Sequence, residues 1–158
     1  MQKIHPCLWF EGQAEEAANF YVSTFEDSRI LETTYYGEGM PGTPGDVLTV
    51  TFEIHGQHFT ALNGGPEFKF TEAVSFVVDC DSQAEVDRLW NALTADGGQE
   101  SVCGWLKDKY GLSWQIVPNA LFKLMSDSNP AKATAVTHAF MQMRKININV
   151  LQQAYDNA

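Results

Sequence analysis

Four histidines supply the side chains best suited to proton transfer or metal binding in this 158-residue chain. His5 lies in an N-terminal strand-like stretch, where its imidazole could act as a general base or a metal ligand. A structural histidine, hydrogen-bonded within the fold, is the alternative. His55 and His58 flank a predicted hairpin turn, and we expect both to be exposed and neither to bind a metal. His5 is therefore the histidine that enters the candidate site.

Three cysteines, Cys7, Cys80 and Cys103, form an odd set without a C-x-x-C pair. Secreted disulfide-stabilised domains usually carry an even number, so these residues predict reduced thiols and a cytoplasmic protein. Cys103 precedes a Gly-Trp pair and could be a reactive thiol. Because no histidine is its sequence neighbour, a buried structural cysteine is the favoured interpretation.

Three turn-forming stretches could also contact ligands. Residues 63–65 (Asn-Gly-Gly) could hold an anion through backbone N–H groups, and a chain-reversing turn explains them as well. A dinucleotide loop is excluded, because no glycine-rich fingerprint leads from a strand into a helix. Residues 37–45 hold four glycines and two prolines, and such long loops often carry binding or lid functions. Residues 107–109 (Lys-Asp-Lys) are interpreted as a solvated turn.

Composition excludes several classes of function. The net charge of −10 and a pI near 4.6 argue against nucleic-acid binding, since a phosphate backbone requires clustered Lys and Arg. No apolar run approaches the roughly 18 residues that span a bilayer, and no signal peptide is visible at the N-terminus. The 44% hydrophobic content indicates a folded core. The chain is long enough for one domain, or for two half-size modules that share a core.

The elements that must position these residues occur twice. Gln-Ala-Glu at residues 13–15 and again at 83–85 follows a strand-like run and opens a helical pattern. A turn glycine followed by an apolar/polar strand occurs at residues 56–62 and again at 111–117. Two copies predict two similar modules, and a cleft between or within them is the place to look for function.

Hydrophobic periodicity gives each copy the same elements. In the first module it predicts a helix over residues 13–25 and strands over 3–10, 29–36, 46–54 and 58–62. In the second module it predicts a helix over residues 82–95, with Ser82 as N-cap and Glu85 completing a capping box, and strands over 73–78, 101–106 and 113–117.

A tail of three helices follows the second module, over residues 120–125, 131–145 and 147–155. Its apolar faces must be buried, either over the sheet or against a second subunit. Within the modules, strand alternation places side chains of one parity on a common face. The sets that share a face are His5, Cys7 and Trp9, then Ser75 and Val77, then Ser113 and Gln115.

Residues 9–17, 61–66, 103–108 and 111–118 resemble the vicinal-oxygen-chelate (glyoxalase/bleomycin-resistance) superfamily. More narrowly, they resemble its PhnB-like, or demethylubiquinone methyltransferase-like, branch, and the likeness extends into the tail as far as residue 146. The resemblance implies an α+β fold of two βαβββ modules that form a curved half-open barrel around a cleft, commonly in a homodimer. The expected organisation is one domain over residues 1–158: module one about 1–66, module two about 71–118 and a helical tail about 119–158.

Superfamily enzymes hold a divalent metal in that cleft, with His and Glu ligands from the first and last strands of the modules. The corresponding positions here are His5, Thr60, Ser75 and Gln115. One imidazole, one amide and two hydroxyls are a weak set for zinc, nickel or iron. We therefore expect no bound transition metal and no other cofactor. The predicted ligand-binding cleft is instead neutral and hydrogen-bonding, lined by His5, Cys7, Trp9, Thr60, Leu62, Ser75, Val77, Ser113 and Gln115.

Two functions follow. The favoured one is a small-molecule binding protein without a full catalytic metal site. The alternative is a vicinal-oxygen-chelate-type enzyme (a lyase, isomerase or transferase) that uses His5 as base or sole strong ligand, with Gln115 and Ser75 orienting the substrate. Methyl transfer, the activity in the branch name, lacks support from the residues, because no strand leads into a glycine-rich turn of the kind that holds an adenosyl donor. A structural homodimer joined by its tail helices is a third interpretation.

Overall fold

The computed structural model describes residues 2–158, which divide into two compact units. The first unit ends at Phe70 and the second begins at Thr71. Each unit is described by itself. Among residues 2–158, no helix has the length and apolar character needed to cross a membrane.

The first unit is a βαβββ module. It consists of β1 (Cys7–Phe10), α1 (Ala14–Thr24), β2 (Ser28–Tyr35), β3 (Val47–Ile54) and β4 (Gln57–Asn63). The strands form one sheet in the order β1-β4-β3-β2, in which β1 and β4 are parallel and the other pairs are antiparallel.

Helix α1 covers one face of this sheet. Its inner side (Ala17, Ala18 and Tyr21) is fully buried, and the Tyr21 ring stacks on Phe52 at 5.9 Å between centroids. Phe52 in turn stacks on Phe59 across the β3–β4 pair at 5.3 Å. Because strand side chains alternate, the neighbours of these core residues point to the other face, which α1 does not cover.

The second unit repeats the plan. It consists of β5 (Ser75–Cys80), α2 (Gln83–Thr94), β6 (Gln99–Glu100), β7 (Trp105–Lys107) and β8 (Ser113–Pro118), with strand order β5-β8-β7-β6. The apolar side of α2 is buried, and the predicted N-cap is confirmed, since Ser82 Oγ accepts a hydrogen bond from the Glu85 N–H at 3.2 Å. Glu85 accepts from the Asp81 N–H at 2.8 Å. The α+β fold of two βαβββ modules is thus confirmed.

The strand predicted over residues 101–106 is wrong in its first half. Residues 101–104 turn, because Cys103 (φ 58°) and Gly104 (φ 82°) adopt left-handed backbone conformations that end an extended run. A Cβ at Gly104 would lie 2.9 Å from the Ile116 carbonyl oxygen, so the close approach of β8 also favours glycine at this position. The strand at the edge of the sheet is β6, earlier in the chain than predicted.

The turn at residues 107–109 is not solvated as predicted, because its acid is in the core. Asp108 is 2% exposed. Its Oδ1 accepts hydrogen bonds from the backbone N–H groups of Tyr110 (2.9 Å) and Leu112 (3.1 Å), and its Oδ2 accepts from Trp114 Nε1 at 2.9 Å. A buried carboxylate with three donors organises this hairpin.

The tail forms α3 (Asn119–Met125), α4 (Pro130–Met141) and α5 (Ile148–Asp156). It packs on the rest of the second unit through a buried cluster of Val117, Leu121, Val136, Ile146 and Leu151. Helix α4 ends at Met141, earlier than predicted, because carbonyl groups that follow it accept hydrogen bonds from another segment of the chain. Met143 O and Arg144 O accept hydrogen bonds from the Cys103 and Gly104 N–H groups, each at 2.8 Å.

Candidate functional site

Strand register brings the predicted site residues together within each unit. In the first unit, Cys7 lies beside Thr60 and Trp9 beside Leu62. In the second, Ser75 lies beside Ser113 and Val77 beside Gln115. Paired residues on adjacent strands share a face, and here it is the face that the module's helix does not cover. The sequence-predicted residues of each module are therefore neighbours.

The sequence repeat is reproduced in the register of the two sheets. Aligning the Gln-Ala-Glu segments equates Cys7 with Val77, and aligning the turn glycines equates Thr60 with Gln115. These are the residues that pair, Cys7 with Thr60 and Val77 with Gln115. The Ser75–Ser113 pair then corresponds to His5 and His58, which places the second histidine in the first unit's candidate site.

A polar row crosses all four strands of the second sheet. Its members pair in sequence across the sheet: Gln99 with Lys107, Lys107 with Ser113, and Ser113 with Ser75. Gln115, in the next row, donates from Nε2 to Ser75 Oγ at 2.9 Å. Beside Gln115, Val77 is 53% exposed. The row therefore combines neutral donors and acceptors with one cation and an accessible apolar edge.

Ser113 is the most unusual member of this row. Only 1% of its surface is exposed, and its Oγ has no hydrogen-bond partner among residues 2–158. Leaving a buried hydroxyl unpaired costs about 1–3 kcal/mol, so most native structures avoid it.

The equivalent row of the first sheet is charged. Glu53 lies between Arg29 and His58 in the register. Its Oε2 is 2.7 Å from His58 Nε2, and its Oε1 is 3.2 Å from Arg29 Nη2. The prediction that His58 is exposed is wrong, since its side chain is only 15% exposed. His55, in contrast, is exposed as predicted, with Asp27 Oδ2 at 3.8 Å.

Alternation along β4 was the signal that could have revealed His58. His58, Thr60 and Leu62 share one parity, so a candidate site that includes Thr60 and Leu62 should include His58 as well. The position of His58 beside the hairpin turn suggested instead that its side chain would be exposed. The hairpin around Gly56, however, sets Glu53 directly opposite His58, and the carboxylate covers the ring.

His5 lies just before β1 and is half-buried, with an Nδ1 that has no hydrogen-bond partner among residues 2–158. His58 Nδ1 likewise has no hydrogen-bond partner among residues 2–158.

Cys7 is exposed, and partial burial raises the pKa of its thiol. Trp9 is fixed as a wall, because its Nε1 donates to Gly65 O at 2.8 Å and its ring meets Phe68 edge-on at 4.9 Å.

A cavity of about 600 Å³ opens in the first unit near the C-terminal ends of β1 and β4. It is lined in part by the predicted loop and by Glu15, Tyr36, Asp46 and Asn63. Asn63 Oδ1 accepts from the Ala14 N–H at 2.8 Å and Nδ2 donates to Val47 O at 3.0 Å, while the Tyr36 hydroxyl donates to Asn63 O. The amide is thus occupied in closing α1 onto the sheet, and two carboxylates line the opening, an arrangement unsuited to the anion considered for residues 63–65.

The family model of 3-demethylubiquinone-9 3-methyltransferase matches residues 2–117. The chain belongs to this family. A PhnB protein from Bacillus cereus that carries the same enzyme name is 39% identical, with a TM-score of 0.68, over 74% of this chain and 99% of that chain. The resemblance inferred from the sequence is therefore confirmed at the level of the PhnB-like family. The family match ends at residue 117, however, so it does not extend into the tail as the sequence suggested.

More distant solved structures share the fold alone. A glyoxalase-related enzyme from Fulvimarina pelagi is 15% identical, with a TM-score of 0.50, over 77% of this chain and 91% of that chain. The fosfomycin resistance protein FosX from Listeria monocytogenes is 12% identical, with a TM-score of 0.51, over 75% of this chain and 93% of that chain. Both support the vicinal-oxygen-chelate fold. A search of curated proteins found no match.

The side chains that the family resemblance assigns to metal positions do not suit a catalytic metal in either unit. His5 and Thr60 of the first unit supply one nitrogen and one neutral oxygen donor, and Ser75 and Gln115 of the second supply two neutral oxygen donors, whereas zinc and iron sites use several His, Cys or carboxylate ligands. Among residues 2–158, no three His, Cys, Asp or Glu side chains are grouped so that they could hold a metal ion. Gln115 is also engaged with Ser75 rather than left as a free donor. No reaction step through a metal follows from this donor set.

In this PhnB-like chain, the tail bounds the candidate face of the second sheet. Val117 has the parity of Ser113 and Gln115, and it is buried in the cluster formed with the tail helices. Gln83, from the repeated Gln-Ala-Glu segment, secures the tail. It donates from Nε2 to Ile146 O at 3.0 Å and accepts at Oε1 from the Ile148 N–H at 2.8 Å. The polar row thus has an apolar boundary on the side of Val117.

Proposed function

We propose that this protein binds a small molecule on the face of the second sheet that α2 does not cover. We also propose that it uses no complete catalytic metal site. The observation that carries the proposal is the polar row of the second sheet, in which Ser75 accepts a hydrogen bond from Gln115 of the next row while the Ser113 hydroxyl is buried and unpaired. Ligand sites typically combine a few fixed polar groups with apolar surface. Val77 and Trp105 supply the apolar surface beside this row.

The first unit, taken by itself, has a chemically different surface on its equivalent strands. Cys7, Trp9, Thr60 and Leu62 lie on the face of its sheet that α1 does not cover, and the Trp9 indole donates to Gly65 O. Rigid aromatic side chains give contact area at little entropic cost. An apolar ligand group could pack on this surface of the first unit.

Binding is tested by a thermal-shift screen of small metabolites against the purified protein. A ligand that binds only the native state raises the unfolding temperature, and at about 100 times its Kd the gain is about 2.7 kcal/mol. The Gln115→Ala variant should lose the shift. Gln152→Ala, which changes an exposed glutamine of α5, is the matched control and should keep it. An unchanged shift in Gln115→Ala would remove the second sheet from the site.

The metal part of the proposal has its own test. Metal analysis of the purified protein should give substoichiometric zinc, iron, nickel and manganese, with no difference between the wild type and His5→Ala. Stoichiometric metal that disappears in His5→Ala would contradict the proposal and favour metal chemistry.

A second candidate is an enzyme of vicinal-oxygen-chelate type, either a lyase, isomerase or transferase, including the methyl transfer in the family name. The unpaired and buried Nδ1 of His5 favours it, since a histidine with a free ring nitrogen can accept a proton. This candidate requires turnover that His5→Ala abolishes and that Gln115→Ala reduces. A broad substrate screen in which no turnover depends on either residue would exclude it.

Homodimer formation and a cytoplasmic location stay predictions from the sequence and the resemblance. Analytical ultracentrifugation of the full chain tests the first of them. A sedimentation coefficient that corresponds to the 17.6 kDa monomer would contradict it.

A further inference from the structure

A small cavity lies beside the buried serine of the second unit. It has a volume of about 150 Å³, and its walls include Glu72, Gln99, Ser101, Lys107 and Ser113. Gln99, Lys107 and Ser113 are consecutive members of the polar row, so their side chains share one face of the sheet. The volume suits one small polar group rather than a whole cofactor.

Ser113 points to a missing partner in this cavity. Its hydroxyl can donate one hydrogen bond and accept others, yet it is 1% exposed and has no partner among residues 2–158. Ser75, next to it, accepts a hydrogen bond from Gln115 but makes none with the Ser113 hydroxyl. A group bound in the cavity would satisfy the hydroxyl.

Lys107 identifies the charge of that group. Lys107 pairs with Ser113 in the register of β7 and β8, lines the same cavity and is the row's cation. It forms an ion pair with Glu72, whose side chain is 61% exposed. Ion pairs of this exposure contribute little to stability, so a competing oxyanion could replace Glu72 at little cost. Glu72 shows that a carboxylate group fits against Lys107.

The second carboxylate of the cavity does not change this assignment. Glu100 Oε1 accepts a hydrogen bond from Trp90 Nε1 at 2.7 Å, which commits it to the indole of α2. Glu72 is therefore the carboxylate beside Lys107, and Lys107 neutralises it. The chain's net charge of −10 opposes the accumulation of anions, so binding must depend on these direct contacts.

We propose that this cavity binds a small oxyanion, the carboxylate or phosphoryl group of an acidic metabolite, with Lys107 and Ser113 as donors and Glu72 as the group that it displaces. The proposal rests on the proposed function and deepens it, because it assigns a chemical class to the ligand of the second sheet. The remainder of such a ligand would extend toward Gln115 and Val77, the next row of the same face.

The test is a set of separate titrations of the full-length protein with acetate, inorganic phosphate and methylammonium. Binding is monitored by NMR as changes in the backbone amide chemical shifts of residues 99–101 and 113–115. Acetate, phosphate or both should shift these amides, and methylammonium should not. Whichever anion binds more tightly distinguishes a carboxylate from a phosphoryl site. Lys107→Met should weaken binding at least about tenfold, since a charge-assisted contact is lost, while Lys107→Arg keeps most of it.

Two further variants make the test specific. Glu72→Gln should tighten binding several-fold, because the competing carboxylate is gone. Ser113→Ala should weaken it without lowering the unfolding temperature, because the removed hydroxyl has no partner. Lys109→Met, which removes the same charge two residues away, should leave the affinity unchanged.

The proposal is overturned if neither anion shifts these amides, if Lys109→Met weakens binding as much as Lys107→Met, or if Glu72→Gln fails to tighten it. Its failure is distinguishable from failure of the proposed function. A neutral ligand from the metabolite screen that still requires Gln115 would leave the proposed function standing and remove only the oxyanion site. A screen without any Gln115-dependent ligand would contradict the proposed function itself.

Discussion

The two units have one fold and one register but opposite chemistry at equivalent positions. Glu53 in the first sheet corresponds to Lys107 in the second, since each lies across a hairpin from the equivalent residues His58 and Ser113. In the first sheet, Glu53 has both Arg29 and His58 as partners, so this charged row is closed on itself. In the second, Lys107 has one exposed partner and Ser113 Oγ has none among residues 2–158. Duplication has thus kept the framework, while Lys107 and Ser113 of the second row, unlike Glu53 of the first, have no partner within their own row.

The largest expected effect concerns the hairpins that set these rows. In the second unit, Asp108 is buried and accepts three hydrogen bonds. Asp108→Ala leaves two backbone N–H groups and an indole N–H without their acceptor. We expect a loss of about 3 kcal/mol in the free energy of unfolding, measured by urea denaturation.

The first unit offers the matched control for Asp108. Asp27 is also an acid next to a hairpin, but it is 81% exposed and is 3.8 Å from His55. Asp27→Asn, which removes the charge and keeps a side chain suited to this residue's left-handed backbone (φ 46°), should cost less than about 0.5 kcal/mol, as exposed pairs usually do. Equal losses in the two variants would mean that both hairpins depend on their acids in the same way, and the contrast between the units would fail.

The second expected effect compares the starts of the two helices. Helix α2 is capped locally by Ser82, whereas no side chain of its own caps α1, whose first N–H instead bonds to Asn63 of β4. Asn63→Ala removes this bond and the one to Val47, and we expect a loss of about 2 kcal/mol. Ser82→Ala should cost about 1 kcal/mol. Thermal unfolding of both variants, with Gln13→Ala as control, would contradict this order if Ser82→Ala were the more damaging.

A smaller difference in stability is expected between the charged row of the first sheet and the polar row of the second. Glu53→Gln removes the charge that Arg29 and the His58 ring share, and its side chain is only 18% exposed, so we expect a loss of about 1 kcal/mol. Lys107→Met leaves only exposed Glu72 unpaired and should cost about 0.5 kcal/mol or less. The difference in urea midpoints between these variants measures how far the first row, unlike the second, serves stability. A larger loss for Lys107→Met would reverse the assignment.

The sequence predicted most of the fold, because the fold depends on local signals. The Ser82–Glu85 cap, the apolar side of α2 and the alternation of β4 each lie within one element, and each was found in the structure. The failures depend on contacts far apart in the chain. Residues 142–145 were expected to continue α4, but the carbonyls of Met143 and Arg144 accept from the backbone N–H groups of Cys103 and Gly104. Asn63 was interpreted as part of a turn because its partner Ala14 is 49 residues away.

The candidate site was predictable only in part for the same reason. Family resemblance supplied His5, Thr60, Ser75 and Gln115, and alternation supplied Ser113, which the register places beside Ser75. His58 was expected to be exposed beside a hairpin turn and Lys107 to lie in a solvated turn, since the sequence shows their position near a turn but not the carboxylates that pair with them. Asp108 was misjudged likewise, because its burial comes from Trp114 and from backbone N–H groups that no pattern reveals.

The smallest expected effect tests whether the ion pair between Lys145 of the tail and Asp87 of α2 stabilises the second unit. Lys145 donates to Asp87 of α2 at 2.8 Å, and this contact, followed by that of Gln83, lowers the pKa of the Asp87 carboxyl. A carboxyl whose pKa falls on folding stabilises the native state above its unfolded value of about 3.9, and the contribution is lost as the pH falls through the folded pKa. Lys145→Gln should therefore make the unfolding temperature slightly less sensitive to pH below about 4, with a small loss at neutral pH.

The control for this pH effect is Lys123→Gln, which removes an equal charge from an exposed position on α3. Both variants change the net charge alike, so any difference in their acid profiles reports the specific contact with Asp87. If the two profiles coincide between about pH 5 and 2, Lys145 acts only through net charge. The tail would then depend on its buried cluster around Ile146 and on Gln83, without an electrostatic contribution from α2.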